Sequence, residues 1–105
     1  MRELVIPIEN AGDPDATEMI RVWLGNGSCN ISLLLGMYED AEDCDIDELE
    51  VWGNILSDIA QHIANGFKQS HDWDEVKTMA KLRHHFNQAI KEHAPGLEGH
   101  YLKEH

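Results

Sequence analysis

Asp58 and His62 are the residues of this chain whose types and spacing come nearest to a chemical site. They lie four positions apart in a segment with helical periodicity, so their side chains are neighbours on one helix face. A carboxylate beside an imidazole can orient a general base, raise the pKa of the histidine or donate two ligands to a metal ion. The alternative is a surface ion pair, which contributes little to stability.

Further histidines could extend this pair into a metal site. His84, His85 and His93 fall on a second predicted helix and could meet His62 across a helical hairpin. The seven histidines form no HxxxH, HExxH or His/Cys cluster, so the metal and any cofactor stay unknown. Because the sequence has no GxSxG motif and no obvious Cys/His pairing for a nucleophile, we favour a role other than that of an enzyme.

An acidic connection precedes the segment that carries Asp58. Asp43, Asp45 and Asp47 resemble the start of an EF-hand calcium loop. The sixth position of that loop is Glu48 rather than glycine, and the twelfth is Asn54 rather than glutamate. We therefore interpret the connection as a solvated acidic loop that leads into the N-terminus of a helix, where negative charge is favourable.

The helix that must position Asp58 and His62 is predicted over residues 47–67. Its apolar residues recur at spacings of three and four, which is the period of an amphipathic helix. Asp47, with Glu50 three residues on, is an N-cap signature. Asn65–Gly66 is a stop signal near the far end.

A second helix is predicted from the same kinds of signal. Asp72, with Glu75 three residues on, repeats the capping signature. The helix runs to about residue 93, and Ala94–Pro95–Gly96 ends it. The short link between the two helices predicts an antiparallel αα-hairpin.

A β-hairpin is predicted around Asn26–Gly27, a favoured two-residue turn because both positions need a positive φ. The flanking strands are expected over residues 18–24 and 29–36, and residues 3–8 are expected to add a short N-terminal strand. A slip by one residue would mix the two faces of the hairpin, so its register is well specified. The predicted register pairs six apolar residues on one face: Ile20 with Leu33, Val22 with Ile31 and Leu24 with Cys29.

The opposite face of the hairpin mixes apolar and polar residues. Trp23, Met19 and Leu34 are too apolar to lie comfortably in water, whereas Arg21 and Asn30 are too polar for a dry core. This mixture is typical of a subunit interface or of the floor of a ligand site. The alternative is a tryptophan that Arg21 or the N-terminal strand partly shields.

These elements predict an α+β fold. A small antiparallel sheet, formed by the N-terminal strand and the β-hairpin, packs against the two-helix αα-hairpin. We expect a single domain over residues 1–96 and a C-terminal tail over residues 97–105. A sheet this thin has exposed edges, so we expect a homodimer or a higher oligomer built on one.

The charge balance restricts the partners. Eight basic against twenty acidic residues give a net charge of -12. Such a surface repels nucleic-acid phosphates and anionic lipid headgroups, so we expect neither nucleic acid nor a membrane as a partner. The two cysteines form no CxxC pair, the N-terminus has no signal-peptide pattern, and we predict a cytoplasmic location.

Several sequence blocks together resemble a family of short proteobacterial proteins known only as a domain of unknown function. The blocks are Glu3-Leu-Val-Ile-Pro7, Asp13-Pro-Asp-Ala16, Glu18-Met-Ile-Arg-Val-Trp23, and Trp52-Gly-Asn-Ile-Leu-Ser-Asp58 followed by His62-Ile-Ala64. The resemblance implies a free-standing bacterial α+β protein with no established activity. It marks five candidate ligand-binding positions: Arg21, Trp23, Trp52, Asp58 and His62.

Three functions from different classes follow from these observations. The leading hypothesis is an oligomeric interaction or accessory module, because the hairpin has a mixed face and the sheet is thin. The second is a small-molecule or metal-binding protein with a site around Asp58 and His62, in which Arg21 could clamp an anion. An enzyme of unrecognised type ranks third, since catalytic residues can converge in space without a sequence motif.

Overall fold

The computed structural model of the chain describes residues 2–97. Its elements are, in order, β1 (Ile20–Gly25), β2 (Ser28–Leu33), α1 (Glu48–His71) and α2 (Glu75–Leu97), which confirms the predicted α+β class. The described residues fall into two compact units: a hairpin unit, residues 2–35, and a helical unit, residues 36–97. The single domain and the packing of the sheet on the helices stay predictions, and the expected tail after residue 97 lies outside the described residues.

The β-hairpin has the predicted register. β1 and β2 are antiparallel and pair Ile20 with Leu33, Val22 with Ile31 and Leu24 with Cys29. Asn26 and Gly27 form the turn with φ values of 53° and 75°, as the two positions of such a turn require. The strands are shorter than predicted at their outer ends. Of the apolar face, Ile20 is half-buried, whereas Val22 and Leu24 are exposed.

Among residues 2–97 the sheet has two strands, so the predicted N-terminal strand over residues 3–8 is wrong. The main chain turns at the end of this segment, where the carbonyl of Pro7 accepts hydrogen bonds from the N–H groups of Asn10 and Ala11 at 2.9 and 3.1 Å. The apolar, β-branched composition favours an extended backbone. A strand also needs hydrogen bonds to a neighbouring strand, and within the described chain this segment makes none.

Helix α1 begins where predicted and ends later than predicted. The side chain of Asp47 accepts a hydrogen bond from the N–H of Leu49 at 3.0 Å and so caps the N-terminus. The helix continues through Gly66 to His71, because one glycine in a helix costs only about 1 kcal/mol and does not stop it. Asp72 then adopts a left-handed conformation, with φ at 55°, and the N–H of Asp72 bonds to the carbonyl of Lys68.

Helix α2 also differs from its prediction at both ends. Asp74, rather than Asp72, caps it by accepting a hydrogen bond from the N–H of Lys77 at 2.9 Å. The backbone stays helical through Pro95 and Gly96 to Leu97, so the predicted end at Ala94–Pro95–Gly96 is wrong. Within residues 2–97, neither helix combines the length and the apolar content that crossing a membrane requires.

The two helices form the predicted αα-hairpin and pack against one another. Ala64 of α1 is 1% exposed and is the one buried hydrophobic residue among the described residues. Beside the three-residue link, the ring of Phe67 stacks on that of Trp73, with centroids 4.5 Å apart and planes 9° apart. A buried small residue on α1 and a stacked aromatic pair at the turn are therefore the tightest packing in this hairpin.

The conformation of Asp72 predicts that Asp72→Gly stabilises the hairpin by about 0.5–1 kcal/mol, because glycine adopts a positive φ without steric cost. The substitution also removes the exposed ion pair between Asp72 and Lys68, which is worth a few tenths of a kcal/mol. Denaturant unfolding measures the net change, and Lys68→Ala serves as the control that removes the ion pair alone. A less stable Asp72→Gly variant would contradict this account of the helix end.

Candidate functional site

The side chain of Glu48 makes more hydrogen bonds than any other side chain in the described part of the protein. It is the first residue of α1 and is 5% exposed. Its Oε2 accepts hydrogen bonds from the N–H of Gly36 at 2.8 Å and from the indole Nε1 of Trp52 at 3.1 Å. Its Oε1 accepts from the N–H groups of Tyr38 and Glu39 at 2.9 and 3.2 Å. One carboxylate therefore fastens the start of the acidic loop to the first turn of the helix.

The electrostatics of this cluster favour the ionised form of Glu48. The N–H groups of Gly36 and Tyr38, followed by those of Glu39 and the Trp52 indole, lower the pKa of Glu48 to about 2. Gly36 has a φ of 90°, a left-handed conformation that allows its N–H to face the carboxylate. Each carboxylate oxygen accepts two hydrogen bonds, so we call Glu48 and its four donors the latch between the acidic loop and α1.

Sequence reasoning found Trp52 but missed Glu48. The signal that could have found Glu48 is its position four residues before Trp52. Residues four apart on a helix are neighbours, and a buried indole N–H needs an acceptor. Glu48 stands in a run of acidic residues, any of which could have been solvated. The loop donors that distinguish Glu48 come from residues 9–12 positions earlier in the chain, and no sequence period links them to it.

Asp58 and His62 are neighbours on the exposed surface of α1, but the main chain joins them. The Nδ1 of His62 lies 2.7 Å from the carbonyl oxygen of Asp58. This contact fixes the imidazole ring and leaves its Nε2 free for another partner. Across the described part of the chain, no three His, Cys, Asp or Glu side chains gather in a group that could hold a metal ion.

The remaining histidines bear on this site in different ways. His84 and His85 lie on α2 with their rings 5.5 Å apart. The side chain of His93 and all of His100 and His105 lie outside the described residues. The described residues thus show no extension of the metal site through His84 or His85, and an extension through His93 stays a prediction.

Arg21 and Trp23 meet on the mixed face of the β-hairpin. The guanidinium carbon of Arg21 lies 6.0 Å from the centre of the Trp23 ring, which is the range of a weak cation–π contact. Arg21 also binds Glu18 through two hydrogen bonds of 2.7 and 2.9 Å and reaches Glu3 at 3.2 Å. The fork-like pairing holds the pKa of Glu18 below its usual range. Two carboxylates thus surround one guanidinium, and the cluster has a net charge of -1.

A cleft of about 950 Å³ lies beside this cluster, within the hairpin unit. Residues 2–7 line one part of it and residues of β1, including Arg21 and Trp23, line another. Arg21 and Trp23 therefore share a site in the hairpin unit. Trp52, Asp58 and His62 belong to the helical unit, where Trp52 serves the latch and the other two form a separate pair.

Comparison with known proteins gives a fold relative and a family. A solved structure described as a putative pyruvate dehydrogenase from the photosynthetic bacterium Rhodopseudomonas palustrus CGA009 matches with a TM-score of 0.62 at 23% sequence identity, covering 87% of this chain and 84% of that one. At this identity the match shows a shared fold. No curated protein matches the sequence. The model of a family described as a domain of unknown function, DUF5076, matches residues 3–94, so the chain belongs to that family.

Proposed function

We propose that this protein is an oligomeric interaction module whose helical hairpin binds a second copy of the chain. The observation that carries the proposal is an apolar stripe on α1 that the single chain leaves in water. We call it the outer stripe. Its members and their exposed fractions are Leu49 at 80%, Leu56 at 47%, Ile59 at 39% and Ile63 at 40%.

The spacing of the outer stripe is that of a helix–helix seam. Its members follow one another at intervals of seven, three and four residues, and this is the heptad pattern by which helices pair side by side. Helix α2 adds Phe86 and Ile90, which are four residues apart and also exposed. Surface hydrophobic residues are ordinarily scattered, whereas a periodic set on two neighbouring helices is typical of an interface.

The described residues leave little of the apolar content buried in one copy. Ala64 is the only buried hydrophobic residue among them. Helices of this length derive most of their stability from packing of an apolar face rather than from helix propensity. A second copy would cover the outer stripe and supply that packing, and a stable interface of this kind buries at least about 1,200 Å² in total.

The net charge sets the salt dependence of this association. Each copy carries -12, so two copies repel one another before the apolar faces meet. At an ionic strength of 0.1–0.15 M, salt largely screens the repulsion between exposed charges that are more than about 8–10 Å apart. Self-association should therefore become tighter as salt rises, in contrast with an interface that is held together by opposite charges.

Leu56→Glu tests the proposal because it places a charge in the middle of the outer stripe. We expect the native protein to have at least twice the 11.9 kDa mass of one chain and the variant to contain fewer subunits. Native mass spectrometry measures the subunit number, and circular dichroism checks that the helices remain. Gln61→Glu is the matched control, since it adds the same charge to an exposed position of the same helix outside the stripe. A native protein that is monomeric at micromolar concentration would overturn the proposal.

A second candidate function is metal or small-molecule binding at Asp58 and His62. The bond between His62 Nδ1 and the Asp58 carbonyl favours it, because metal-bound histidines are commonly fixed through their other ring nitrogen. The same mass spectra test it, since protein purified without added metal or chelator would carry an adduct that His62→Ala loses. The charge of -1 around Arg21 argues against the predicted anion clamp.

We also propose a bacterial, cytoplasmic setting. The family resemblance and the two free thiols, Cys29 and Cys44, support it. The pyruvate dehydrogenase name of the fold relative does not carry over, because a shared fold at 23% identity leaves the activity of this chain open.

A further inference from the structure

We propose that the open edge of β1 binds the N-terminal segment, residues 3–8, of a second copy of this chain. The edge is identified by the hydrogen-bond pattern of the hairpin. The N–H of Leu34 bonds to the carbonyl of Met19, so the odd-numbered residues of β1 bond to β2. The main-chain groups of Ile20, Val22 and Leu24 therefore face away from β2, and they have no backbone partner among residues 2–97.

The N-terminal segment has the composition of the strand that this edge lacks. Leu4, Val5, Ile6 and Ile8 are 94%, 90%, 68% and 85% exposed, although these are the residue types that sheets bury. No main-chain N–H of residues 3–6 bonds to another main-chain group within the described chain. A β-prone segment and an unpaired edge therefore lie in one molecule without pairing.

The connection between them explains why the chain does not pair its own segment. Residues 7–16 form successive turns, with hydrogen bonds from Asn10 and Ala11 to Pro7, from Asp13 to Asn10 and from Ala16 to Asp13. These turns set the segment apart from β1 and leave the cleft of about 950 Å³ between the two. The open edge and the exposed segment both border this cleft, so a strand from a second copy can enter it.

The contact between Glu3 and Arg21 can be exchanged between copies. Glu3 of the segment contacts Arg21 of β1 at 3.2 Å in one chain, so Arg21 can accept the Glu3 of another copy in place of its own. An incoming copy brings its own Glu3 to the Arg21 that it meets. By two-fold symmetry each β-hairpin gains one strand, which is the N-terminal segment of the other copy.

This inference rests on the proposed self-association but uses a different surface, and a proline variant tests it. Val5→Pro in the full chain removes one main-chain donor from the segment, whereas Val5→Thr keeps the donor and the β-branched shape. We expect Val5→Pro to raise the dissociation constant about tenfold or more and Val5→Thr to change it less than about threefold. Sedimentation measures the constants.

Two further measurements locate the contact. Amide hydrogen exchange at Ile20, Val22 and Leu24 should be slow in the native protein and at least about tenfold faster in Val5→Pro. A sample that mixes isotope-labelled and unlabelled chains should show intermolecular proton contacts between residues 4–6 and β1. Free exchange at these amides, or contacts that arise only within one chain, would overturn the inference.

The helix variant separates this inference from the proposed function. If Leu56→Glu dissociates the assembly while Val5→Pro leaves its dissociation constant unchanged, the strand inference is wrong and the helical interface stands. If Val5→Pro weakens the assembly and Leu56→Glu does not, the strand interface stands and the helical one is wrong. A native protein that is monomeric at micromolar concentration overturns both.

Discussion

Replacing Glu48 with glutamine is expected to lower the melting temperature of this protein by about 5–10 °C. Each carboxylate oxygen of Glu48 accepts two hydrogen bonds, from four donors in total. The glutamine amide keeps the shape but replaces one acceptor oxygen with an NH₂ group. Two donors then face another donor in a site that is 5% exposed. Thermal unfolding followed by circular dichroism measures the loss.

Glu50→Gln is the matched control for this prediction. Glu50 lies in the same first turn of α1 and interacts with the same helix dipole, but it is exposed. We expect its melting temperature to change by less than about 2 °C. Equal effects of the two substitutions would show that the charge at the helix N-terminus, rather than the latch, accounts for the loss.

The latch also predicts how stability depends on pH. The folded pKa of Glu48 is about 2, below its ordinary value of 4.5. Its contribution to stability is therefore complete above pH 4.5 and declines as the pH falls from 4.5 toward 2. The difference in unfolding free energy between the native protein and Glu48→Gln should shrink over this interval. Denaturant unfolding at low protein concentration measures it, and a constant difference from pH 5 to pH 2.5 would contradict the assignment.

Ala64→Leu is expected to destabilise the helical hairpin by about 1–3 kcal/mol, because it forces extra volume into a packed contact. Ala64 is 1% exposed, and α2 is the helix that packs against α1. Leucine has nearly the same helix propensity as alanine, so the loss reports packing rather than backbone preference. Denaturant unfolding gives the free energy.

Ala80→Leu provides the control for the same change at an exposed position of α2. We expect it to alter the unfolding free energy by less than about 0.5 kcal/mol. An Ala64→Leu variant as stable as the native protein would mean that the two helices can move apart at little cost. The αα-hairpin would then not hold the outer stripe in a fixed position.

The β-hairpin shows how far local sequence can determine structure. Asn26–Gly27 allows a two-residue turn, and the alternation of apolar and polar residues allows one register. Both signals act between residues close in the chain, so the strands and their pairing were predictable. The start of α1 at Asp47 was predictable for the same reason, since a cap and its helix are adjacent.

The helix ends show where local signals compete. Asn65–Gly66 and Ala94–Pro95–Gly96 are breaking signals, yet both helices continue through them. A glycine inside a helix costs about 1 kcal/mol and a proline about 3 kcal/mol or more, so neither residue by itself excludes a helix that other interactions stabilise. Asp72 was expected to begin α2 but ends α1, because an aspartate can cap a helix or take a left-handed conformation and the sequence signal is similar.

The sequence by itself determined the α+β class, the hairpin register, the pair of helices and the adjacency of Asp58 and His62. All of these follow from spacing along the chain. Tertiary structure alone decided that Glu48 is the anchored carboxylate, that Glu3 reaches Arg21, and that the N-terminal segment is left unpaired. The physical reason is common to the three. Each depends on which donors, acceptors or strand edges the fold brings within hydrogen-bonding distance, and no local period encodes that choice.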